Sequence, residues 1–465
     1  MKASLHTAAF VSFVALVFLG SCASTRTFQK QYLESRQLLE RRDFSGAAEL
    51  IEKYKNSGYR KKDRVLFYLD TGMLYHFAGE YSKSNEALSA AEEGMEELLT
   101  KSISKSLSSG FLNDNALAYS GEDYEDIYLN VFKCLNYIAL EMTDDALVEV
   151  RKVQIKLKRL EDKYRKAAFE YNSSKKAKGV IPVAESRFHN DVLARYLSYL
   201  LYRLDNSPDD MRIEYEKLLH AFEDQPSIYP FLPPVFAEVC PEEETARLSV
   251  LSFTGLSPVK KPQTFYLTTI EHAVIINTSG QNEEYNEELS GFSIIPFPGV
   301  SAGYHYKLEY PVMVEQGSQV DRIVLNLGSQ SRELSLIENM QAVSREIFMQ
   351  RQPLVMGRTV IRTISKVIAK ETGKSALRGA SENDFLTLLL AVLMDVTVDL
   401  TENADLRTSR FFPAFAYGID LNVPAGTYPF RIDYYGNGRL LFQDNRGMVN
   451  LKAEGLNLFE SSYLE

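Results

Sequence analysis

Gly72-Met73-Leu74-Tyr75-His76-Phe77-Ala78-Gly79-Glu80-Tyr81-Ser82-Lys83-Ser84-Asn85-Glu86-Ala87-Leu88-Ser89-Ala90-Ala91 decides how the first half of this chain folds. Small residues (Gly72, Gly79, Ala91) and large ones (Tyr75, Tyr81, Leu88) recur there every three or four positions, which is the period of an α-helix. Small residues suit the close crossing of two antiparallel helices, and large ones fill the gap beside it. The stretch therefore predicts a helical hairpin.

The same arrangement recurs. Upstream, Ser35, Leu38, Phe44, Ala47, Ile51 and Tyr54 align with it, and downstream Cys134, Tyr137, Thr143, Ala146, Val150 and Val153 form a degenerate third unit. Arg187 to Phe222 reads as a fourth helix pair turning at Asn206-Ser207-Pro208-Asp209. Phe67, Tyr68, Tyr128 and Tyr196 suit the same interhelix role. These units resemble the tetratricopeptide repeat, and the resemblance implies a stack of helical hairpins over residues 27–222. An irregular helical bundle is the rival reading. Ser102 to Gly121 and Arg165 to Val180 read as insertions on one side of the stack, and Lys175, Lys176 and Lys178 as a solvated charge run.

Residues 223–246 contain Pro226, Pro230, Pro233, Pro234 and Pro241 and read as a linker. Beyond it, strands are expected at Leu248–Thr254, Thr264–Thr269, Ala273–Asn277, Tyr306–Val314 and Arg322–Leu327. Helices follow from Leu334 to Lys370 and from Phe385 to Leu400. Strands then return at Ala416–Val423, Tyr428–Tyr435, Leu440–Asp444 and Met448–Lys452. Tyr435-Gly436-Asn437-Gly438 is a hairpin signal, because glycine and asparagine tolerate positive φ. The fold expected is multidomain: an all-α hairpin stack, then an α+β domain over 247–465 with a largely antiparallel sheet.

The chain's first residues read as a secretion signal. Lys2 supplies a positive charge, Ala8 to Leu19 are apolar or small, and Leu19-Gly20-Ser21-Cys22 follows. The run is about a dozen residues, short of the ~20 that a membrane-spanning helix needs. The tetrapeptide resembles the bacterial lipobox. That resemblance implies a signal peptide over 1–21, lipidation of Cys22, a tether over 22–26 and attachment to a membrane of the cell envelope through the lipid. Ala23 in place of aspartate favours the outer membrane. The net charge of −10 leaves no basic footprint for nucleic acid. Cys134 and Cys240 give no disulfide framework.

Gly121-Glu122-Asp123-Tyr124-Glu125-Asp126, Leu135-Asn136-Tyr137 and Ala146-Leu147-Val148-Glu149-Val150-Arg151 resemble a family of uncharacterised bacterial envelope lipoproteins with helical repeats. So do Gly255-Leu256-Ser257-Pro258-Val259-Lys260, Ala404-Asp405-Leu406-Arg407 with Pro413, and Pro424-Ala425-Gly426. The family places a tryptophan where this chain has Ser409. The resemblance carries over no established activity, and implies a small partner lipoprotein in cell-wall synthesis or surface assembly.

Motifs of catalysis are incomplete. Gly299-Val300-Ser301-Ala302-Gly303 matches the nucleophile elbow, yet a strand rather than a helix is expected after it, and no histidine follows His305. Gly373-Lys374-Ser375 lacks the first glycine of a phosphate loop, since Ile368 stands there. The six histidines are scattered, so no zinc site is expected. Asp395, Asp399 and Glu402 would share one helix face, as a solvated rather than a metal-binding one. The function expected is a membrane-anchored, non-enzymatic scaffold that holds another envelope protein, without metal or cofactor. The alternatives are a cell-wall enzyme using Asp395, Asp399 or Asp405, and a lipid- or glycan-binding module walled by Phe411-Phe412-Pro413-Ala414-Phe415.

Overall fold

A computed structural model describes residues 31–106, 117–173, 187–234, 245–281, 287–296, 302–303, 305–352, 354–355 and 405–465. Cys22, the lysines at 175–178, Cys240, the phosphate-loop-like segment and the carboxylates at 395–402 lie outside them.

Residues 31–40 form α1. There follow α2 (Phe44–Lys53), α3 (Arg64–Phe77), α4 (Tyr81–Ser106), α5 (Asp123–Ala139), α6 (Thr143–Asn172), α7 (Val192–Leu204) and α8 (Pro208–Asp224). They make four hairpins, each closed by the same turn. Arg42, Gly79, Glu141 and Asn206 have φ of 57°, 75°, 60° and 55°, and each stands two residues before the next helix. The amide after each donates to the carbonyl five residues back, at Leu38, Tyr75, Tyr137 and Tyr202. A left-handed residue with this backward bond satisfies carbonyls that the helix end leaves open. Consecutive helices also touch, α2 with α3, α4 with α5 and α6 with α7.

Gly72 lies at the crossing of α3 and α4. A Cβ there would stand 2.6 Å from Leu88 Cδ2, and Ser84 Oγ donates to the Gly72 carbonyl at 2.7 Å. Phe44, Ala47, Leu88, Ala91 and Ala146 are buried as expected, while Tyr75, Tyr81 and Tyr137 are half-buried at hairpin ends. One expectation fails at α6, which runs unbroken to Asn172 where an insertion was expected from Arg165. Its apolar positions at Leu157, Leu160, Tyr164 and Ala168 keep the helical period through the charges.

The strands are β1 (Thr245–Leu256), β2 (Val259–Ile270), β3 (Ala273–Gln281), β4 (Glu287–Pro296), β5 (His305–Val314), β6 (Arg322–Leu327), β7 (Gln330–Glu333), β8 (Ser335–Asn339), β9 (Pro413–Pro424), β10 (Gly426–Gly436), β11 (Arg439–Leu451) and β12 (Asn457–Tyr463). They form three sheets, ordered β12-β1-β9-β8, β11-β10-β6-β7 and β4-β3-β2-β5. Pairing is antiparallel except between β1 and β12. Asn437 and Gly438 take positive φ in the β10–β11 turn, as the sequence predicted.

The helix expected from Leu334 begins later. Residues 335–339 pair with β9, and helix α9 occupies 340–352, where Asn339 Oδ1 accepts from the Ala342 amide. The asparagine cap, not the apolar pattern, marks the start. The strands expected at Leu440–Asp444 and Met448–Lys452 are one strand, which ends at Leu451 and is kinked where Gly447 takes a φ of 70°.

β1 joins the layers. Its residues alternate, Leu251 and Phe253 entering the core of the helices while Ala246, Leu248 and Val250 enter the core formed with β6 and β10. The first sheet is thus covered on both faces, and a single hydrophobic core runs from α1 through β1 and β9.

Candidate functional site

α1, α3, α5 and α7 turn one side toward the strands. Tyr32 meets Phe411 at 5.9 Å between ring centroids, Phe132 meets Phe253 at 5.2 Å and Phe412 at 6.0 Å, and Arg203 pairs with Asp420 at 3.0 Å. The face along which a stack of hairpins would offer a groove is therefore taken up by the chain's own strands.

Residues 405–410 run into that face. Asp405 and Arg407 form a two-pronged ion pair, Nε to Oδ1 and Nη2 to Oδ2, both at 2.7 Å. Arg407 Nη1 also reaches Asp63 Oδ1 at 2.8 Å and the Leu117 carbonyl at 3.1 Å, and the guanidinium lies over Tyr119. Burial works against charge at both residues, but their hydrogen bonds and mutual attraction prevail, so the Asp405 carboxyl is held below its usual range and the Arg407 guanidinium above.

Next to it, Glu125 Oε1 accepts from the Ser409 amide at 2.6 Å and from Thr408 Oγ1 at 3.1 Å, while Oε2 accepts from Tyr119 and from the Glu122 amide. Glu122 and Glu125 close a capping box at the start of α5. Lys260 Nζ donates to Glu122 Oε1 at 2.5 Å and to the Arg407 carbonyl, and Arg351 reaches the same glutamate oxygen at 2.7 Å. Asp70, in mid-α3, accepts from Tyr32, Tyr59 and Ser409, each at 2.7 Å. Desolvation pushes the Asp70 carboxyl up to about 6, and desolvation with the neighbouring Glu122 pushes Glu125 up to about 7, their hydrogen-bond donors pulling the other way.

Three segments that carry the family resemblance, around Glu122, Lys260 and Arg407, thus converge on one buried polar cluster. Asp70 and Glu125 are 0% exposed, so substrate cannot touch them. Pro413 is buried at the head of β9 opposite Leu256. Phe411, Phe412 and Ala414 are buried too, and the aromatic run is largely core.

A sizeable opening lies at the hairpin turns. A cleft of about 680 Å³ is bounded by Arg42, Gly79 and Glu141 from three turns and by Arg446, Lys452 and β12. At its base His76 Nδ1 meets Asn136 Oδ1 and Nε2 meets Glu460 Oε1, each at 2.7 Å. Burial pulls the imidazole pKa down, but Glu460 outweighs it and the net shift is upward. With both ring nitrogens engaged, His76 has none free for a nucleophile.

Among the described residues no group of three His, Cys, Asp or Glu side chains could hold a metal ion, Cys134 is a buried free thiol, and no helix is long and apolar enough to cross a membrane. Of the elbow-like motif only residues 302–303 are described, and β5 begins two residues later.

Sequence reasoning missed Asp70, Arg351 and the His76–Glu460 pair. Asp70 carried a signal: an acid set between Leu66, Leu69 and Met73 on a buried helix face needs donors around it. No family model matches the chain, and no curated protein or solved structure matches it either.

Proposed function

We propose that this chain is a lipid-anchored, non-enzymatic scaffold of the bacterial envelope, related to the envelope lipoproteins it resembles, and that it holds a partner protein in the cleft at its hairpin turns. The hairpins are read as tetratricopeptide-like, with their usual groove given over to the chain's own strands. One observation carries the proposal: the cleft is open and built from both halves of the chain, whereas the buried carboxylates at the 405–410 junction are occupied by structural bonds. Anchoring through Cys22 would confine the scaffold and raise the effective concentration of what it holds.

The test places a photo-crosslinking amino acid at Glu141 or Lys452, both exposed in the cleft, and at Ile155 on the outer face of α6 as a comparison. In intact cells a discrete crosslinked protein is expected from the first two positions and not from Ile155. Crosslinking from Ile155 alone, or from none, overturns the cleft as the binding surface. Cys22→Ser should abolish lipid labelling and release of the signal; a variant still processed and retained in the detergent phase overturns the anchor.

A further inference from the structure

A second opening lies where α1 meets the strands. Leu33, Leu39, Leu256 and Phe411 line a hollow of about 260 Å³, and an adjoining hollow of about 310 Å³ continues it past Leu256 and Leu464. Ligand sites are commonly hollows of a few hundred Å³ with apolar walls and a few polar groups that fix orientation. Leu33 is 65% exposed at the rim, although water disfavours so large an apolar surface.

The charged groups of the first hollow are Arg36 and Arg410, with Gln316 beside them, while Glu40 and Glu465 stand at the adjoining hollow and leave the first as the place for an anionic head. Arg36 has only a loose contact with Glu40, at 3.8 Å on the surface. Arg410 differs from three inward-facing arginines that have carboxylate partners. Arg203 is paired with Asp420, Arg195 with Glu214 and Arg407 with Asp405 and Asp63. No carboxylate among the described residues pairs with the Arg410 guanidinium. Its Nε is buried without a hydrogen-bond partner, and the group rests on the Tyr32 ring at 4.6 Å. Arg410 is half-buried, but a buried Nε left without an acceptor is costly, and an anion that accepts from it and from a terminal nitrogen removes the cost.

We infer that this hollow binds a single-chain anionic amphiphile of the fatty-acid class, its chain along Leu33, Leu39, Leu256 and Phe411 and its carboxylate on Arg410 and Arg36. The apolar walls and the unpaired cation lie at the same opening, and this combination distinguishes a carboxylate-headed chain from a neutral one. Leu33 stands eleven positions after Cys22. With Cys22 lipidated, the hollow would lie within reach of the membrane surface that supplies such a molecule. The inference itself requires only the geometry of α1 and residues 410–411.

The full chain in dodecyl maltoside micelles is irradiated with palmitic acid bearing a diazirine, and the labelled residues are mapped by mass spectrometry. Label is expected on Tyr32, Leu33 and Phe411, competed away by unlabelled palmitate. It should fall about tenfold in Leu33→Glu, whose exposed position spares the fold, and in Arg410→Gln; tenfold corresponds to ~1.4 kcal/mol of lost binding. The diazirine analogue of palmitoyl alcohol should label the hollow several-fold less than the acid. Label spread over the surface, or undiminished in Leu33→Glu, overturns the site. Equal labelling by acid and alcohol overturns the role of the arginines. Label that enters the hollow only in Cys22→Ser shows it already filled by the chain's own lipid, and overturns the inference of a separate ligand.

Discussion

Ser409 donates its hydroxyl to Asp70 across 2.7 Å, from the strand-bearing half of the chain into the middle of α3. It is wholly buried, and its amide donates to Glu125 at the same time. The resembling family carries a tryptophan here. Glu125 is satisfied by the backbone amide of residue 409, whereas Asp70 depends on the Ser409 hydroxyl, so it is Asp70 that a side chain without a donor here would leave short.

Arg407 should be the most sensitive position of the junction. Arg407→Met leaves Asp405 and Asp63 buried beside an apolar chain, and Asp405→Asn leaves the guanidinium under-compensated. Each should lower stability by roughly 3 to 5 kcal/mol, read as a shift in the urea midpoint. A variant as stable as the parent would show that the pair does not tie the halves together.

At the α3–α4 crossing, Gly72→Ala pushes a methyl group into Leu88 and should cost about 1 to 3 kcal/mol by overpacking. Leu88→Ala leaves a cavity of its own, yet combined with Gly72→Ala the two losses should be less than additive. Strict additivity in a double-mutant cycle would deny the contact.

Asp191, at the start of α7, and Glu338, on β8, are buried together, with Tyr128 and Tyr229 facing them and Arg195 nearby. Burial raises both carboxyls, and for Glu338 the charge of Asp191 adds to it; Asp191 is pushed up to about 6. The folded chain therefore holds protons more tightly than the unfolded one. The stability this contributes is complete below the unfolded aspartate value of about 3.9 and is lost as pH rises through about 6. Glu338→Gln should flatten that decline and exceed the parent in stability at pH 8 by about 1 kcal/mol, as followed by denaturant titration at several pH values.

For His76 the sign of the shift depends on Glu460. The parent imidazole should titrate above its ordinary value of about 6.5 in NMR spectra, and Glu460→Gln should lower it, because burial is then opposed only by the hydrogen bond with Asn136. A raised folded value means stability present below about pH 6.5 and lost as pH rises through the folded pKa, so the parent's advantage over Glu460→Gln should shrink toward alkaline pH. Identical titrations would remove the His76–Glu460 pair from the account.

The hairpins were legible because helix packing is local: Gly72, Ala91, Phe44 and Ala146 repeat at a helical period within each unit. The β10–β11 hairpin was legible for the same reason, in the dihedral tolerance of Asn437 and Gly438. β12 was not, since its pairing with β1 spans some two hundred residues and its positions include Glu460 and Ser461, polar side chains that bond to His76 and Tyr434 from elsewhere in the chain. The junction was legible in part. Asp405, Arg407, Glu125 and Lys260 stood out as parts of the family-like segments, but that these segments converge, and that Asp63 and Asp70 join them, follows from the tertiary fold, which no spacing encodes.

The shared core has a consequence for how the protein is made. The helices leave the ribosome first, and their inner side, carrying Phe132, His76, Asp70 and Glu125, has nothing to rest on until β1, the 405–416 segment and β12 arrive. During that interval an apolar, carboxylate-bearing surface is open to chaperones and proteases. Chains interrupted before β12 lack both Glu460 and the parallel edge of the central sheet, so they should be recognised as unfinished and degraded rather than accumulate as a free helical half.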